Sequence, residues 1–205
     1  MKLAETTIRG ETFTFRVLWD CCVAQMEAAE KTDGGRQPYY ITSMLMAYLT
    51  YESYINFLED RFAPREWAKQ REFFGPKSQS GYRGISGKLK YLCEKIPIEG
   101  IKRDRRPMKT ISELKKIRDF LSHGPMERYE KTIVHQRGKE PPLFGYGKID
   151  RLVSQASATK AVQDVKEAII FLHSQAFEHT NDIWFGKDPF DDFIAHADSD
   201  SKTKA

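Results

Sequence analysis

Arg118 and His123, with four residues between them in Lys116-Ile117-Arg118-Asp119-Phe120-Leu121-Ser122-His123-Gly124, are the side chains of this sequence best suited to chemistry. A guanidinium offers a planar fork of donors to an anionic oxygen. An imidazole changes charge near neutral pH. A carboxylate, Asp119, stands directly after the arginine. Cation, imidazole and carboxylate in one short run suit work on a phosphodiester.

The run must be helical for these groups to meet. Ile111, Leu114, Ile117 and Leu121 form an apolar stripe, and Arg118 falls inside it. On a straight helix Arg118 and His123 diverge by about 140°. Gly124-Pro125 stops the helix, however, so His123 is its last residue and can swing back. On an earlier helix Glu52 shares a stripe with Leu45, Leu49 and Ile55, and Asn56 lies one turn further on. An inward Glu and an inward Arg on two helices predict a shared polar pocket. A structural ion pair is the plainer use of the same residues, and an arginine can also lie along a seam with its head in water.

The densest positive stretch of the chain precedes the motif: Lys102, Arg103, Arg105, Arg106, Lys109, Lys115 and Lys116, broken by Asp104 and Glu113. It can track a phosphate backbone or be a solvated face. Tyr129, Phe144 and Tyr146 are near enough in sequence to offer stacking surfaces.

The elements that position these residues read as helices. Residues 13–31 carry Trp19, Cys22, Met26 and Ala29 on one face, and Asp33-Gly34-Gly35 stops them. A longer helix runs from Pro38 to about Phe62, and Pro64 restarts a short one through Phe74. A Gly/Ser loop at 75–84 leads to a helix over 85–96, the basic connector 97–107 and the helix 108–123. In the last helix Val162, Val165, Ile169, Leu172, Ala176, His179 and Ile183 recur every three or four residues. This pattern makes His179 a core histidine, while His173 has no partner spacing and His135 reads as surface. Residues 126–155 hold Thr132-Ile133-Val134 and Leu143-Phe144-Gly145-Tyr146 around a turn, a small β-hairpin or irregular excursion. The expected fold is an all-α antiparallel bundle, one domain over 1–187 with a polar tail over 188–205.

Composition narrows the classes. A net charge of +4 does not by itself imply nucleic acid. Three cysteines, Cys21, Cys22 and Cys93, make no disulfide framework and fit a reducing, cytoplasmic setting. No signal-peptide layout or membrane-length apolar run is present, so no membrane partner is expected. No metal-ligand spacing is evident, no cofactor motif is found, and Gly81-x-x-Gly84-x-x-Gly87-Lys88-Leu89 is not a P-loop.

Arg118-Asp119-x-x-x-His123 resembles the R-x4–6-H motif of the HEPN superfamily, and Leu114 to Gly124 resembles its "LRN…AHG" segments. Tyr51-Glu52-Ser53-Tyr54-Ile55-Asn56-Phe57-Leu58 resembles the long helix that precedes the motif in several such families. The resemblance covers residues 38–125 by motif and extends to about 185 by helical layout. It implies a metal-independent endoribonuclease, of the kind found in toxin–antitoxin and phage-defence systems. His123 would be the general acid/base, Arg118 the charge stabiliser and Asp119 the residue orienting either. It further implies RNA as substrate, a 2′,3′-cyclic phosphate product, a homodimer, and an antitoxin or nucleotidyltransferase partner. An alternative within the same group is a non-catalytic nucleotide-binding or protein-interaction module.

Overall fold

The computed structural model describes residues 12–123, 147–180 and 183–191. Every regular element among them is helical, and together they form an all-α bundle. The elements are α1 (Thr14–Lys31), α2 (Gln37–Phe62), α3 (Pro64–Ala68), α4 (Gln70–Phe73), α5 (Gly84–Lys95), α6 (Met108–His123), α7 (Lys148–Leu152) and α8 (Gln155–Thr180), followed by a 3₁₀ turn, Ile183–Gly186. No helix among the described residues is long and apolar enough to cross a membrane.

Helix α2 is the central post, packed by α1, α8, α5 and α6. The short loop after α1 turns the chain into a helical hairpin. Small side chains let the two helices approach: Ser43 Oγ donates to the Cys22 carbonyl over 3.0 Å, and both residues are buried. Helix α8 packs on α2 and α6 and buries Ala158, Ala161, Val165, Ala168, Ile169, Leu172 and Ala176. Helix α6 buries Ile111, Leu114 and Ile117.

The core face of α2 differs from the expected one. Leu45 and Leu49 are only half-buried. The fully packed positions are Tyr40, Tyr48, Tyr51, Tyr54, Ile55 and Leu58. Tyrosine ranks below leucine on hydropathy, yet its ring buries more area, so the tyrosine face takes the interior. The Tyr54 hydroxyl shares a 2.9 Å hydrogen bond with His173 Nδ1. His173, not His179, is therefore the core histidine, and burial lowers its pKa from the ordinary value. His179 is exposed like its neighbours from Phe177 to Thr180, because the last turn of α8 runs past the core. Leu121 is likewise exposed at the end of α6.

Most of the excursion expected at 126–155, with Tyr129, His135, Phe144 and Tyr146, lies outside the described residues, as do Gly124 and most of the tail. The described end of that excursion is helical: α7, then the first residue of α8.

The basic connector is tied down at its far end. Arg106 Nε reaches both oxygens of Asp164, at 2.8 and 3.0 Å. Asp164 sits on α8 and is wholly buried. The bidentate pair anchors the chain to α8 just before it enters α6.

Candidate functional site

Helices α2 and α6 bring Glu52 and Arg118 together. Arg118 Nη2 lies 3.6 Å from Glu52 Oε2, and Nη1 lies 3.0 Å from Asp119 Oδ1. Lys115 Nζ meets Asp119 Oδ2 at 2.6 Å. The result is a chain of alternating charge, Glu52–Arg118–Asp119–Lys115. Its Arg118 side chain is 27% exposed and its Glu52 side chain 31%, so the cluster is open to a ligand. The guanidinium also stands over the Tyr48 ring, 5.2 Å from the centroid. That face contact and the two carboxylates hold the fork in one orientation.

His123 is the exposed last residue of α6, one turn beyond Asp119 on the same helix edge. The hydrogen bond from Lys115 holds the Asp119 carboxyl below its ordinary pKa, with Arg118 and His123 adding to the effect. Asp119 therefore stays anionic between two basic groups. Two positive and two negative side chains balance here. An incoming phosphate must compete with Glu52 and Asp119 for Arg118, whose Nε is buried with no hydrogen-bond partner among the described residues.

Asn56 does not join this cluster. Its Oδ1 accepts a 2.7 Å hydrogen bond from Lys88 Nζ. Four residues on a helix turn about 40° past a full circle, and on α2 this is enough to carry Asn56 from α6 toward α5. Lys88 also donates to Gln70 Oε1 at 3.3 Å and lies over the rings of Trp67 and Phe74, 4.7 and 5.4 Å from their centroids.

The seven cations divide. Arg106 is committed to Asp164, and Lys115 to Asp119. Lys102, Arg103, Arg105, Lys109 and Lys116 are exposed. Among the described residues no group of three His, Cys, Asp or Glu converges as a metal-ligand set.

Two polar groups escaped the sequence reading. Glu59, in the last turn of α2, is completely buried, and neither carboxylate oxygen has a partner among the described residues. Burial raises its pKa from 4.5 to about 7, against the pull of Lys88. Lys88 is buried too, and desolvation lowers its pKa. A signal for Glu59 existed: it follows Tyr51 and Ile55 at intervals of four, on the face that proves to be the core. No family model matches the chain, and neither a curated protein nor a solved structure matches it.

Proposed function

We propose that this chain is a metal-independent endoribonuclease of the HEPN type, with Arg118 and His123 acting on RNA phosphodiesters. The observation that carries the reading is the Glu52–Arg118–Asp119 cluster: an oriented, partly exposed guanidinium whose neighbour Asp119 lies one turn before the exposed His123 on the same helix. A purely structural arginine in an apolar seam would gain nothing from that histidine.

In the proposed reaction His123 removes the proton of a ribose 2′-hydroxyl. The 2′-oxygen attacks the adjacent phosphorus, and the P–O5′ bond breaks. Arg118 stabilises the charge that builds on the non-bridging oxygens, and Asp119 keeps Arg118 aimed. The products are a 2′,3′-cyclic phosphate and a 5′-hydroxyl. The departing 5′-oxygen needs a proton. In the homodimer that the resemblance implies, a second copy of the chain facing the first would supply it from its own His123. A toxin or phage-defence role follows from the resemblance, as does an antitoxin or nucleotidyltransferase partner.

One observation favours the non-catalytic alternative: Arg118 is already neutralised by two carboxylates. Incubation of the purified protein with RNA in the presence of EDTA separates the two. Cleavage that persists in EDTA, leaves cyclic-phosphate ends and disappears in Arg118→Ala and His123→Ala supports the nuclease. Folded variants that cleave as the wild type does, or a wild type that never cleaves, leave only the binding module.

A further inference from the structure

A groove of about 250 Å³ runs between α5 and α6 and shares Tyr48 and Lys115 with the Arg118 cluster. Its floor is Tyr48 and Tyr51 of α2, and its apolar walls are Leu89 of α5 and Ile111 of α6. Arg103, Lys115 and Lys116 stand along it, and no acidic side chain lines it. One hydroxyl faces it from each wall, Ser86 on α5 and Ser112 on α6. The α6 wall follows one helical stripe: Met108, Ile111, Ser112 and Lys115 continue at the same spacing into Arg118 and Asp119. The groove and the Arg118 cluster are therefore one continuous track.

Its chemistry is that of a nucleotide. The floor and walls are apolar enough for a base, the cations suit a phosphate, and the serines can bond base or sugar edges. Enclosed small-molecule clefts occupy roughly 300–1,000 Å³, so this groove is small and takes one nucleotide rather than a dinucleotide cofactor. Tyr48 adds a second indication. Its ring lies beneath the Arg118 guanidinium, 5.2 Å from the centroid, and its hydroxyl interacts with that guanidinium, so the groove floor reaches the Arg118 cluster.

We propose that the α5–α6 groove seats the nucleotide next to the scissile phosphate of a bound RNA strand, with the base between the apolar walls of Ile85 and Leu89 on α5 and Met108 and Ile111 on α6, and Arg103 and Lys116 on the flanking phosphate. The proposal rests on the nuclease reading for its direction, since the track leads to Arg118. It goes beyond the run of basic residues, because Lys102, Arg105 and Lys109 do not line the groove while Ser86 and Leu89 do.

Two variants test it. Ser86→Trp fills the groove from an exposed position, and Arg103→Glu reverses an exposed charge without filling it. Lys31→Glu, an exposed charge reversal outside the groove, is the control. Binding of a labelled single-stranded RNA is read by anisotropy, and cleavage as KM and kcat. Both groove variants should weaken binding or raise KM by about tenfold with kcat held within about twofold, while the control changes neither. Wild-type KM and affinity in folded Ser86→Trp and Arg103→Glu overturn the groove and leave the nuclease standing. RNA that binds but is never cleaved, with binding lost in both variants, sinks the nuclease and keeps the groove. A mononucleotide that competes as well as the strand at equal phosphate concentration makes this a free-nucleotide site and overturns the strand assignment.

Discussion

Midway along α2, Glu52 faces Arg118; one turn later, Asn56 faces Lys88. The two basic groups meet different fates. Arg118 has an exposed edge and two carboxylates, with His123 five residues further along the same helix. Lys88 is sealed by Trp67 and Phe74, with Asn56 and Gln70 as acceptors and an unpartnered Glu59 nearby. Both clusters place charge against an apolar interior. Solvent access separates them: one can exchange its partners for a ligand, and the other is held by its surroundings. The Arg118 cluster keeps an exposed edge, and the Lys88 cluster packs α5 onto α2.

The contrast is most open to challenge at its catalytic end. His123→Ala should lower RNA cleavage by about 10²–10⁴-fold, with no change in thermal midpoint because the residue is exposed. Arg118→Lys keeps the charge but loses the fork, and should still lose about 10²-fold in kcat. A fall in thermal midpoint that tracks the lost activity would assign Arg118 to packing. Lys88→Ala should do the reverse. Removing a buried ammonium and its bonds should cost roughly 3 kcal/mol in denaturant unfolding, while the remaining folded protein cleaves at the normal rate.

Glu59 gives a pH test. Below its unfolded pKa the carboxyl is protonated in both states and has no effect. As pH rises from 4.5 to about 7, the unfolded chain ionises while the folded one keeps its proton, so native stability declines across that window and levels off above it. The total decline is on the order of 3 kcal/mol. Lys88 and Glu66 are the charged groups acting on it. Glu59→Gln should flatten that part of the stability profile. An unchanged slope would mean that Glu59 is ionised in the fold. Smallest of all, Glu52→Gln should shift stability by less than about 1 kcal/mol, because its pair with Arg118 is long and partly solvated. Any sizeable effect of this change should appear in kcat.

Sequence alone carries the helix that bears Arg118 and His123, because the stripe from Ile111 to Ile117 is regular; the expected stop at Gly124-Pro125 lies outside the described residues. It carries the meeting of Glu52 and Arg118, because both interrupt apolar stripes. It misses Lys88 and Glu59, because the leucines of α2 suggest a face rotated away from the tyrosines that form the core. With that face misread, Asn56 is sent to the wrong neighbour. His173 is missed because its partner, the Tyr54 hydroxyl, comes from a helix distant in the chain. Pairings of this kind depend on packing, and local periodicity does not encode them.

The Arg106–Asp164 clamp bears on how tightly a strand can be gripped. A loop anchored at one end has already lost part of its conformational freedom before anything binds. On the proposed groove, Arg103 and its neighbours would meet a phosphate with less entropy left to surrender. Asp164→Asn would loosen the anchor without touching the groove. Calorimetry should then show weaker RNA association with a more unfavourable entropy, even though every cation of the proposed groove is still present.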